Sequence, residues 1–173
     1  MPVLAFLLTF MGPIGYATEP PANEVLFILE RNTNRNQVVY ELKHADESQT
    51  TETIHPYWRM LARDGHLEEL NSIEKSQIYG VDQVERTRDF IRFEIAALPS
   101  YPIMVLRNSG SAFIHLLGED RVIKRVFVHV SGGLIPSVDS IEIDCQTQDS
   151  AAIQSVVLTP APGEKWQETL KSK

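Results

Sequence analysis

Apolar and polar residues alternate with a period of two along most of this chain, and only one stretch gives a convincing helix signal. Val25-Leu26-Phe27-Ile28-Leu29 is a continuous apolar run of strand length, the pattern of a strand covered on both faces. Asn32 to Asn36 supplies turn formers. Gln37 to Lys43 then returns with Val38, Tyr40 and Leu42 on one face and Glu41 and Lys43 on the other. Together these runs predict a β-hairpin. Ile54 to Leu61 predicts a third strand, and Pro56 places it at an edge or a bulge, because proline has no N–H for the ladder. Asp64-Gly65 marks a turn.

The helical signal follows. Asn71 can accept from the free N–H groups of a first turn, and Glu74 stands three residues on, the spacing of a capping box. The pattern predicts one short helix over about residues 71–79, of two to three turns. Leu70, Ile73, Ile78 and Tyr79 would hold it on a sheet, because so short a helix is marginal alone. Gly80 is expected to end it in the left-handed conformation. Val84 to Leu98 fits both periods. Strand parity groups Ile91, Phe93, Ile95 and Ala97 opposite Arg92 and Glu94, and helical parity groups Val84, Arg88, Ile91, Ile95 and Leu98. The β-branched and aromatic content of Phe90-Ile91-Arg92-Phe93 favours strand.

A meander completes the pattern: Ile103 to Leu106, Ala112 to Leu117, a long strand, Val138 to Gln146, and Ala152 to Thr159. On the long strand, Val122, Lys124, Val126, Val128 and Val130 are expected on one face, with Ile123, Arg125, Phe127 and His129 on the other. Gly118-Glu119-Asp120 and Gly132-Gly133 are turns. Pro160 to Gly163 is expected to end regular structure, leaving a charged tail. The fold class is therefore mainly β: an antiparallel sandwich or partly open barrel with one short helix.

The first residues change the picture of where the chain goes. Val3 to Met11 is an apolar run followed by small residues up to Ala17, the layout of a secretory signal peptide cleaved after Ala17. The run is shorter than the roughly 20 apolar residues of a membrane span; the alternative is an uncleaved N-terminal anchor. The expected organisation is a signal peptide (1–17), a leader (18–24), a single β-rich domain (25–159) and a charged C-terminal tail (160–173). The destination is the periplasm or the extracellular space, with no transmembrane span in the mature chain. The net charge of −7 and a pI near 5.2 give no electrostatic footprint for nucleic acid. Cys145 is the single cysteine. It shares the apolar face of Ile141 and Ile143, so it is read as a buried hydrophobe.

The series Leu26-Phe27-Ile28-Leu29-Glu30-Arg31-Asn32, Asn36 to Glu41, Pro56-Tyr57-Trp58, Glu68-Glu69-Leu70, Ile73-Glu74-Lys75 and Tyr79-Gly80 resembles a bacterial family catalogued as domain of unknown function 4833. The likeness runs from about Val25 to Thr159. Where that family commonly has Val before Tyr-Trp, this chain has His55-Pro56, which bears on any role for His55. The resemblance implies secretion and a single domain, and it brings no activity, substrate or cofactor.

The candidate chemistry is sparse. The five histidines include no His-Glu-x-x-His and no pair spaced for one helix face; neither a metal nor a cofactor is expected. His115 and His129 could meet across the sheet, although half-buried structural roles suit them better. No Gly-x-Ser-x-Gly elbow and no phosphate loop are present. The group that stands out is Glu30, Arg31, Tyr57, Trp58, Glu74 and Tyr79, with Arg59, Glu69 and Lys75 beside it. It could line a pocket between helix and sheet for a small ligand. In the plainer reading Trp58 is core and the charges are ion pairs that tie helix to sheet. Two functions follow. The first is an exported non-catalytic β domain binding a small molecule, an envelope component or a protein partner. The alternative is a secreted hydrolase that uses carboxylates or histidines without a recognisable motif.

Overall fold

The computed structural model describes residues 23–44, 51–131, 137–163 and 165–171. The expected signal peptide, the Gly132-Gly133 turn and most of the acidic loop before Thr51 lie outside the described residues. The fold is mainly β. Its strands are β1 (Glu24–Arg31), β2 (Asn34–Lys43), β3 (Thr53–Met60), β4 (His66–Glu69), β5 (Val81–Arg86), β6 (Phe90–Ile95), β7 (Ile103–Leu106), β8 (Ser111–Leu116), β9 (Glu119–Ser131), β10 (Ser137–Thr147), β11 (Gln154–Ala161) and β12 (Lys165–Leu170). All belong to one curled, open sheet that forms a half-barrel.

β9, 13 residues long, organises the sheet. β10 runs along one of its edges, from Arg121 to Ser131. The other edge is shared end to end: β8 pairs with Glu119–Val122, and β1 pairs with Arg125–Val128. Three arms therefore leave β9, namely β1-β2-β3-β4, β8-β7-β6-β5 and β10-β11-β12. The β1–β9 pair is parallel; the other ladders are antiparallel. The handover from β8 to β1 coincides with a bulge. Asp144 faces Arg125 and Cys145 faces Ile123, which leaves Lys124 between them without a partner on β10. One extra residue flips the parity of everything beyond it. The expectation of one face from Val122 to Val130 is thus corrected: Ile123 and then Val126 are buried, and Lys124 is exposed.

Several other expectations change. The helix of two to three turns shrinks to one wide turn, Glu74–Ile78. The Tyr79 and Gly80 N–H groups both donate to the Glu74 carbonyl, at 2.8 and 3.2 Å. Leu70 and Tyr79 are buried at its two ends, so they fix the span between β4 and β5 and leave room for no more. Ile73 is exposed as a result. Gly80 has no positive φ; it is required because a Cβ there would overlap the Lys75 carbonyl. Val84 to Leu98 is a hairpin arm rather than one strand. Thr87 Oγ1 accepts from the N–H of Asp89 and Phe90 at 3.3 and 3.1 Å and turns the chain. The expected tail contributes β12, which pairs with β11 from Lys165 to Leu170. Pro56 lies just past the end of β4, which covers Tyr57–Met60 alone, so its missing N–H interrupts no ladder there.

The outer ends of the first two arms approach each other without a continuous ladder. Glu52 bridges them: its carboxylate meets Arg107 Nη1 at 3.0 Å, and its carbonyl accepts from Arg86. The core fills the concave side, with Tyr40, Leu42, Phe93, Ile103, Ile114, Ile143 and Leu158 fully or almost fully buried. Cys145 is buried and free. Burial raises its thiol pKa, although Arg121 beside it pulls the other way.

Candidate functional site

The period of two divides the predicted site residues. Adjacent residues on a strand face opposite sides, so Glu30 and Arg31 part company, as do Tyr57 and Trp58. On the concave side, Arg31, Trp58, Glu74 and Tyr79 form one connected cluster. The Arg31 guanidinium lies over the Trp58 ring, 5.0 Å from its centroid, a cation–π contact. Trp58 packs edge-on against Tyr79 with centroids 5.2 Å apart. Arg31 Nη1 donates to the Tyr79 hydroxyl at 3.0 Å, and Trp58 Nε1 donates to Glu74 Oε2 at 3.1 Å.

Local sequence builds this arrangement. Asn71 Oδ1 accepts from the N–H of Ile73 and Glu74, each at 3.0 Å. Glu74 Oε2 in return accepts from the Asn71 N–H at 2.9 Å. That reciprocal pair is the capping box, and it fixes Glu74 where it also receives the indole. Tyr79 is held from beneath by Tyr40, whose hydroxyl donates to the Tyr79 carbonyl at 2.9 Å. Burial raises the Tyr79 pKa; Arg31 opposes the shift and Glu74 adds to it. Its phenol therefore stays protonated at neutral pH.

Glu30 and Tyr57 lie elsewhere. Glu30 accepts from Gln37 Nε2 at 2.7 Å and pairs with Arg125 Nη1 at 3.4 Å. Tyr57 packs beside His55, centroids 5.4 Å apart, in a shallow outer hollow with Glu69. His55 Nε2 meets Glu69 Oε1 at 2.8 Å. Glu69 also pairs with Lys75, whose hydrogen bond, with that of His55, holds its carboxyl below the ordinary value. His115 and His129 do not meet: His115 pairs with Asp120 at 2.9 Å, and His129 faces Glu142 at 3.7 Å. His115 is largely exposed, contrary to the half-buried role expected for it.

Beside the Arg31 cluster opens a cavity of about 330 Å3. All three arms line it: Leu29 from β1, Ile103 and Ile114 from β7 and β8, Val126 and Val128 from β9, Ile141 and Ile143 from β10. Trp166 on β12 and Leu98 complete the wall, and Arg31 is its one charged residue among those described. Sequence reading missed this wall. Its members are scattered from Leu29 to Trp166, and the bulge at Lys124 hides the parity that brings Val126 and Val128 onto it. Trp166 carried a signal, a lone aromatic flanked by polar residues in Lys165-Trp166-Gln167-Glu168. Among the described residues, no group of three or more His, Cys, Asp and Glu side chains could hold a metal ion. No helix among them is long and apolar enough to cross a membrane.

A family model described as a domain of unknown function (DUF4833) matches residues 27–155. No curated protein matches the chain, and no solved structure does.

Proposed function

The chain belongs to the DUF4833 family, whose description assigns no activity, and from its own geometry we propose that it is an exported, non-catalytic β domain that holds a small, largely apolar molecule in the cavity of the half-barrel. One observation carries this reading: an aliphatic cavity of about 330 Å3 walled by all three arms, with a single cation at its lining. Ligand sites are concave and mostly apolar, with few polar groups to fix orientation. The export half rests on the apolar run before Ala17.

The hydrolase alternative finds less support. A general acid needs a carboxyl raised toward neutrality, and Glu69 is moved the opposite way by Lys75 and His55. Glu74 is engaged by the Asn71 N–H and the Trp58 indole.

The test uses protein produced in a bacterium from its own N-terminus and recovered from the exported fraction. Its intact mass is expected to correspond to a chain beginning at Thr18. Titration with the neutral dye N-phenyl-1-naphthylamine is expected to give a saturable rise in fluorescence. Val128→Trp, which fills the cavity, is expected to abolish that rise while circular dichroism stays unchanged. An absence of saturable uptake by the natural chain, or equal uptake by a folded Val128→Trp variant, would sink the cavity reading. Retention of the whole chain in the cytoplasm would sink the export reading.

A further inference from the structure

We propose that the cavity takes a single-chain aliphatic carboxylate of about ten carbons, with its head held by Arg31; this rests on the cavity being the ligand site. Size comes first. At the roughly 30 Å3 that a water molecule occupies in the liquid, close to the share of one methylene, about 330 Å3 holds on the order of ten such groups. The wall that would meet them is aliphatic, from Ile103 and Ile114 across to Val126 and Ile143.

The head group follows from Arg31. Arg63, Arg92, Arg107, Arg121 and Arg125 each meet a carboxylate. Arg31, like Arg35, Arg59, Arg86 and Arg88, meets none among the described residues, and of these five Arg31 alone lines the cavity. Among the described residues its side chain makes one hydrogen bond, from Nη1 to Tyr79, and its Nε is buried with no partner. Contacts to Trp58 and Tyr79 fix the guanidinium plane. Nε is covered by neighbouring atoms, so a ligand meets the guanidinium at Nη2, which has no partner among the described residues. A carboxylate placed there gains a charge-assisted hydrogen bond. The Tyr79 hydroxyl, an acceptor toward Arg31, keeps its own proton available for the same head. A cationic amphiphile would meet repulsion there, and a neutral one would leave the guanidinium without a counter-charge.

The experiment uses the full chain after extraction of copurified lipid. Decanoate, decanol, decylamine and decyl phosphate compete for the N-phenyl-1-naphthylamine site at neutral pH. Decanoate is expected to bind at least about tenfold more tightly than decanol or decylamine, the scale of a charge-assisted hydrogen bond. In R31Q, decanoate is expected to fall to the affinity of decanol. Equal affinities for decanoate and decanol in the natural chain would overturn the carboxylate assignment while leaving the cavity reading standing. Tightest binding by decyl phosphate or decylamine would overturn it too, as would a folded R31Q variant that keeps the preference. Failure of the natural chain to take up the dye at all would remove both readings together.

Discussion

Trp58 does three things at once. Its ring face carries Arg31, its edge meets Tyr79, and its indole N–H reaches Glu74. It is 7% exposed and belongs to the main core cluster, so the structural and the binding readings of this residue hold together. Trp58→Ala removes a large buried ring and leaves Glu74 Oε2 with the Asn71 N–H alone. The expected loss is about 3–5 kcal/mol of stability by urea denaturation. A variant as stable as the natural chain would show that the ring supports nothing but the site. Glu74 was legible because the capping-box spacing fixes it locally; only the fold brings the Trp58 indole to it. Glu30 and Tyr57 were grouped with them by sequence proximity, which the strand period undoes.

At the scale of elements, the bulge in β9 decides the inner wall. Before it, Arg121 and Ile123 face inward; after it, Val126 does, with Val128 partly buried against the core. Deleting Lys124 would leave Arg125 as the one outward residue between Ile123 and Val126, so strict alternation keeps Val126 and Val128 inward. Sharp thermal unfolding and dye uptake are expected to survive that deletion. Deleting Arg125 together with Lys124 leaves no residue between Ile123 and Val126, turns Val126 and Val128 out and drives Phe127 and His129 toward the cavity. The expected outcome is loss of cooperative unfolding, read as a broadened thermal transition, and loss of dye uptake. A double deletion that unfolds sharply and still binds dye would show that the parity of β9 does not set the wall. The hairpin of β5 and β6 was hidden for a related reason. Its turn uses Thr87 and Asp89 rather than glycine or proline, so the apolar pattern read straight through it.

At the scale of the molecule, Arg125 clasps the junction where the arms meet. Its Nε donates to Asp144 on β10 at 2.9 Å, and its Nη1 reaches Glu30 on β1 at 3.4 Å. Burial alone would raise the Asp144 pKa. Hydrogen bonds from Ser155 and Arg125 outweigh it and hold the carboxyl below its ordinary 3.8. A depressed folded value stabilises the native state at pH above the unfolded value, and that contribution is lost as pH falls through the folded one. Urea midpoints are therefore expected to drop below about pH 4 in the natural chain. In Asp144→Asn they are expected to be lower at neutral pH and flatter toward acid. Parallel curves for the two proteins would deny the clasp a role.

By itself the sequence determined the strand periodicity, most turns, the capping box at Asn71 and Glu74, and the burial of Cys145, because each depends on neighbours within a few residues. Pairing across long stretches of chain was left to the tertiary structure. Only there do β1 and β8 share one edge of β9, and only there does Trp166, 135 residues beyond Arg31 in the chain, wall the same cavity. Local alternation tells which face of a strand is apolar. It does not tell which other strand that face will meet, since a pairing depends on the register and curvature of the whole sheet.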